Sequence, residues 1–90
     1  SAQRLHELGV VNRVVESGHA LTEALAMSER INARAPNVMN SIKELVNDAS
    51  VNNLTAQLAQ ERNQFVKNLR HPNAGIGIQA FLNKEAPNYK

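Results

Sequence analysis

Apolar residues recur along most of this 90-residue chain at helical spacing, and polar residues fill the positions between them. From His19 to about Ala35 the apolar face is Leu21, Ala24, Leu25 and Ile31, with Ser28 among them. From Pro36 to about Ala49 it is Val38, Met39, Ile42, Leu45, Val46 and Ala49. A longer segment running to about Arg70 carries Leu54, Leu58, Phe65, Val66 and Leu69, expected to face inward. In the last segment Ile78, Phe81 and Leu82 fall at i, i+3 and i+4, one face of a short helix ending near Lys84. The punctuation agrees with these segments. Pro36 suits a first helical position, Asn53 is placed to cap the long helix, His71-Pro72 ends it, and Asn73 can cap the last one. Residues 86–90 read as a tail.

The first eighteen residues follow another pattern. Leu5 and Leu8 share a face of a helical stub, and Gly9 suits the left-handed position just past a helix end. A helix of about two turns is not stable alone, because nucleation is costly. Val10-Val11-Asn12-Arg13-Val14-Val15 is β-branched and bounded by turn residues, so it reads as a strand or as an extended, solvated connector. One strand cannot satisfy its own backbone groups, and no second strand is legible. The expectation is an all-α fold. Four main amphipathic helices follow a short helix stub and an orphan extended segment. Residues 1–18 read as the cut end of a larger protein, and 19–90 as the helical domain.

Composition narrows the function. The chain is 42% apolar and 20% charged with a net charge of +2, and its aromatics are Phe65, Phe81 and Tyr89 alone. Scattered basic residues without interleaved aromatics argue against nucleic-acid binding. No apolar run approaches the ~20 residues of a membrane span, and no signal peptide is visible, so a cytoplasmic setting is expected if the source is bacterial. Cysteine is absent, which excludes disulfides and thiolate metal sites. His6, His19 and His71 are too far apart for a metal, and no catalytic motif of nucleophile, acid pair or phosphate loop occurs. Glu61, three residues after Leu58 and four before Phe65, is expected to be partly buried and ion-paired with a base on a neighbouring helix. Lys43 reads as a side chain lying over apolar surface. Phe81 with Lys84 reads as an anchor beside a solvated cation, or as a clamp for a phosphorylated nucleotide.

Five stretches, in order, resemble the enoyl-CoA hydratase/isomerase (crotonase) superfamily. Leu8-Gly9-Val10-Val11-Asn12-Arg13-Val14-Val15 is similar to its Gly-Leu-Val-Asn-x-Val-Val signature. Ala24-Leu25-Ala26 resembles the Leu-Ala element of the first C-terminal helix. Ala35-Pro36 followed by Lys43, and Glu61 to Phe65, resemble later elements. Gly77-Ile78-Gln79-Ala80-Phe81-Leu82-Asn83-Lys84, with Pro87 and Tyr89, resembles the closing Glu-Gly-x-x-Ala-Phe-x-x-Lys-Arg-x-Pro-x-Phe motif, with Ile76 in place of its Glu and Glu85 in place of its Arg.

The resemblance implies a C-terminal helical domain of an enzyme acting on acyl-CoA thioesters. Its oxyanion hole and catalytic glutamates lie in an N-terminal α/β core, and it assembles as a homotrimer or hexamer. It implies no cofactor, since acyl-CoA is the substrate, and no activity for this chain alone. It also implies that Phe81 and Lys84 approach the CoA nucleotide held by an adjacent subunit. The rival expectation is a free-standing helical interaction module without a catalytic role.

Overall fold

The computed structural model describes all 90 residues and contains five helices and no strand. They are α1 (Ala2–Glu7), α2 (Ala20–Asn32), α3 (Pro36–Asp48), α4 (Leu54–Leu69) and α5 (Pro72–Leu82). The chain divides into two compact units, Ser1–Ile31 and Asn32–Lys90.

In the first unit, Ser1 caps α1 by accepting from the Arg4 N–H at 3.2 Å. The helix ends as its glycine foretells. Gly9 has φ +77°, its N–H reaches the His6 carbonyl at 3.0 Å, and the Val10 N–H reaches the Leu5 carbonyl at 2.9 Å. That pairing satisfies two carbonyls that a helix end leaves open. The valine-rich stretch that follows joins no ladder. Its local ties are a contact between the His6 ring and the Val11 carbonyl at 3.1 Å and an ion pair from Arg13 to Glu23 of α2. β-Branched residues favour extended backbone, but a strand needs a partner, and this unit offers none.

The second unit is built on α3 and α4. Pro36 opens α3 at its first position and holds Ala35 extended (ψ 119°), so α2 stops at Asn32 instead of running to Ala35. Asn53 caps α4 by accepting from the Ala56 N–H at 2.8 Å. Before α5 the cap is His71, not Asn73. Pro72 takes the first helical position, and the His71 Nδ1 accepts the Asn73 N–H at 3.0 Å. Asn73 lies inside the first turn and is buried, at 2% exposure.

The surface that α3 and α4 share is polar. Asn37, Ser41, Glu44 and Asp48 on α3 meet Asn68, Gln64 and Gln60 on α4 in descending order, which makes the helices antiparallel. The Gln57 amide also donates to the Leu45 carbonyl at 3.0 Å, and Asn52 donates to Gln57 and Gln60. No buried side-chain nitrogen or oxygen in the chain lacks a partner. The apolar stripes that the periodicity marks out lie elsewhere. Ile42, Val46, Leu54, Leu58, Phe65, Leu69, Ile78 and Leu82 are all exposed, and so are Leu21, Leu25 and Ile31 of α2. The only buried apolar residues are two alanines, Ala35 and Ala80. The chain therefore closes its polar contacts internally and leaves its large apolar side chains uncovered.

Candidate functional site

The C-terminal end of α5 carries the two residues singled out by sequence. After Leu82 the chain passes through Asn83 and turns at Lys84, whose φ is +54°. The Lys84 N–H donates to the Phe81 carbonyl at 3.2 Å and the Glu85 N–H to the Ala80 carbonyl at 3.0 Å. This is the same closure that Gly9 makes after α1, with lysine in the position glycine fills there. A side chain in that conformation costs about 1–2 kcal/mol, because Cβ crowds the following carbonyl. Lys84 is the one residue other than glycine with a positive φ.

Phe81 stands one turn back and is 82% exposed, so it anchors no core within this chain. Lys84 and Glu85 are exposed beside it. The arrangement offers an open ring face and an ammonium whose backbone is fixed by two hydrogen bonds. Such a pair suits a flat aromatic group joined to an anion, through stacking and a charge-assisted hydrogen bond. The neighbouring Glu85 carboxylate opposes the attraction for anions.

Glu61 is exposed on α4. The ion pairs of the chain are Arg4–Glu7, Arg13–Glu23 and, when the imidazole is protonated, His19–Glu16. The ion pair expected of Glu61 is therefore not made within this chain. The outward turn of the apolar stripe removes the burial that would have called for it, because Glu61 borders that stripe. Lys43 is exposed on α3. No three histidine or acidic side chains lie together in a way that could hold a metal ion. No helix is long and apolar enough to cross a membrane.

Behind α5 lies an open, mainly apolar groove of about 400 Å³, lined by Ala35, Val38, Phe65, Leu69, Ile78 and Tyr89 among others. Tyr89 enters it from the tail. At Gly77 an added Cβ would lie 2.9 Å from the Tyr89 hydroxyl, so the tail crosses close over α5 and the tyrosine ring would have to shift to admit a side chain there. Sequence reasoning placed neither this crossing nor the Asn37–Asn68–Asn73 cluster. The pattern is present in sequence, since residues 37, 41, 44 and 48 and residues 57, 60, 64 and 68 are polar at helical spacing, but a polar stripe of this kind also marks a solvent-facing side.

All 90 residues match the family model described as enoyl-CoA hydratase/isomerase. The chain is 30% identical to the 2,3-dehydroadipyl-CoA hydratase of Escherichia coli, covering 100% of this chain and 35% of that protein. It is 33% identical over 81 residues to a probable enoyl-CoA hydratase of Mycobacterium tuberculosis, covering 90% of this chain and 32% of the other. Among solved structures, an enoyl-CoA hydratase from a Polaromonas species superposes with a TM-score of 0.95 at 60% identity, over 100% of this chain and 35% of that one. An enoyl-CoA hydratase of Mycobacterium marinum superposes with a TM-score of 0.92 at 31% identity, over 100% of this chain and 37% of that one. The chain thus spans about a third of the length of the relatives it matches.

Proposed function

The chain belongs to the enoyl-CoA hydratase/isomerase family, and from that premise we propose that it is the helical assembly part of a larger enzyme acting on enoyl-CoA thioesters. The carrying observation is the reversal of polarity. The α3–α4 seam is closed by hydrogen bonds, while Val46, Leu54, Leu58 and Phe65 face outward uncovered. Apolar surface left open in this way is stabilised by docking onto another apolar surface, at about 25 cal/mol per Å² removed from water. The docking partners are an α/β core that supplies the oxyanion hole and catalytic acids, and neighbouring subunits of a trimer or hexamer.

In this reading Phe81 and Lys84 reach the CoA of an adjacent subunit, the ring against adenine and the ammonium against a phosphate. The similarity of residues 77–89 to the family's closing motif supports that role, as does the exposure of both residues. The chain alone is inactive.

Reconstitution tests the proposal. The complementary two-thirds of the Polaromonas relative is mixed with this chain, and hydration of crotonyl-CoA is followed by loss of its conjugated-thioester absorbance. Activity in the mixture and in neither part alone is the expected result. Hydration by the 90-residue chain alone, or a mixture no more active than the core part, would overturn it. In the active mixture, Lys84→Ala should weaken CoA binding about tenfold. Equal affinities would remove Lys84 from the site.

A further inference from the structure

Seven groups of the second unit form one hydrogen-bonded chain that runs in a single direction. The Lys90 N–H donates to the Asn73 Oδ1 at 3.1 Å, and the Asn73 Nδ2 to the Asn37 Oδ1 at 2.8 Å. The Asn37 Nδ2 donates to the Asn68 Oδ1 at 2.9 Å, and the Asn68 Nδ2 to the Ser41 Oγ at 3.0 Å. The Ser41 hydroxyl donates to the Gln64 Oε1 at 2.8 Å, and the Gln64 Nε2 to the Glu44 carboxylate at 2.9 Å. The two ends dictate the direction. A carboxylate only accepts and a backbone N–H only donates, so every amide between them has one consistent orientation. Aligned hydrogen bonds of this kind polarise one another. Asn73 and Ser41 are buried, and Asn73 also returns a hydrogen bond to the Lys90 carbonyl at 2.9 Å.

The far end of this chain grips the tail. From Lys84 the backbone reverses, so that Tyr89 lies on Gly77 and Lys90 is held at Asn73, in the first turn of α5. The segment from Lys84 to Lys90 is therefore a strap fastened at both ends. At one end is the left-handed turn of Lys84, and at the other the two hydrogen bonds from Asn73. A left-handed lysine persists where the surrounding structure over-determines it. The strap supplies that constraint.

We propose that Asn37, Asn68 and Asn73, oriented by Glu44, form a latch that keeps the strap closed on α5 and so keeps Lys84 in its left-handed conformation. Asn73 is then a positioning residue for the Lys84 ammonium, and Glu44 acts on it from the other end of the chain. The consequence for CoA rests on the function proposed above; the latch itself does not.

Amide hydrogen exchange in the 90-residue chain, read by NMR at Lys90, tests the latch without ligand. The Lys90 amide should be protected. Asn73→Ala should speed its exchange at least tenfold. Lys84→Gly relieves the backbone cost of closure and should slow it about fivefold or more. Glu44→Lys replaces the terminal acceptor with a donor and should speed it severalfold, whereas Glu44→Gln still offers an acceptor and should stay near the wild-type rate. Lys84 and Glu44 are exposed, so their variants decide the matter even where Asn73→Ala unfolds. Unchanged exchange in both Lys84→Gly and Glu44→Lys would overturn the latch.

CoA affinity of the reconstituted enzyme is read separately. If the latch positions the Lys84 ammonium, Asn73→Ala should weaken CoA binding as Lys84→Ala does, with Lys84→Ala adding little in the double variant. If exchange responds as expected while Lys84→Ala leaves affinity unchanged, the CoA role of Lys84 falls and the latch stands.

Discussion

The α3–α4 seam and the outward faces of the same two helices follow opposite rules. The seam is lined by asparagine, glutamine, serine and acids, and its groups are paired. The outward faces carry Ile42, Val46, Leu54, Leu58 and Phe65, and they are uncovered. In a self-sufficient bundle the assignment is reversed, with apolar stripes inside and polar residues in water. The difference separates two tasks. Directional hydrogen bonds set the antiparallel register, because each amide accepts few partners. Non-directional apolar surface is left uncovered, and it is this surface that the proposed docking would use.

Breaking the open side should produce the largest effect. Placing charges on it with Val46→Glu and Leu58→Glu should abolish recovery of activity on reconstitution. The stability of the chain itself should change by no more than about 0.5 kcal/mol, since neither side chain is buried in it. Circular dichroism of the chain beside the reconstitution assay separates the two outcomes.

Breaking the closed side should act the other way. Asn73→Ala leaves the Asn37 Oδ1 and both Lys90 backbone groups without their partner and should cost about 2 kcal/mol in urea unfolding of the chain. Ser41→Ala removes one link between Asn68 and Gln64 and should cost about 1 kcal/mol.

The apolar half of this comparison was legible in sequence, but its direction was not. A 3.6-residue period says which side chains share a face and nothing about what covers them. Hence the period puts Phe65 and Leu58 on one stripe of α4, while the inward direction expected of that stripe is the reverse of the one observed. The ion pair expected of Glu61 depends on the same inward direction. Pro36 and Asn53 marked their helix starts because their effect is local and steric or involves one hydrogen bond. Asparagine caps far more often than histidine, so sequence preference points to Asn73 as the cap. Pro72 overrides that preference by fixing the first helical position, which leaves His71 as the cap. The valine run Val10–Val15 carried strand propensity without a partner, and propensity alone makes no ladder. The polar seam escaped because amides at helical spacing look the same whether they face water or each other. The family resemblance was the most informative reading, since five ordered motifs cover the chain almost from end to end.

A smaller effect compares the two helix ends that share one geometry. After α1 the left-handed residue is Gly9; after α5 it is Lys84. Nothing lies within 4 Å of a Cβ built on Gly9, so Gly9→Ala should cost about 1 kcal/mol from backbone conformation alone. Lys84→Gly should gain about as much. Thermal unfolding of both variants measures the pair, and opposite signs are the expected result. Gly77→Ala should have the smallest effect, a few tenths of a kcal/mol, because the atom in its way is the far end of a movable tyrosine ring.

The most direct measurement is a calorimetric titration of this chain into the complementary two-thirds of the Polaromonas relative, repeated at several temperatures. Docking through the uncovered faces of α3 and α4 predicts saturable association with a strongly negative heat-capacity change, the mark of apolar surface leaving water. The Val46→Glu, Leu58→Glu variant should lose that binding. No association, or association with a heat-capacity change near zero that survives both charges, would contradict it.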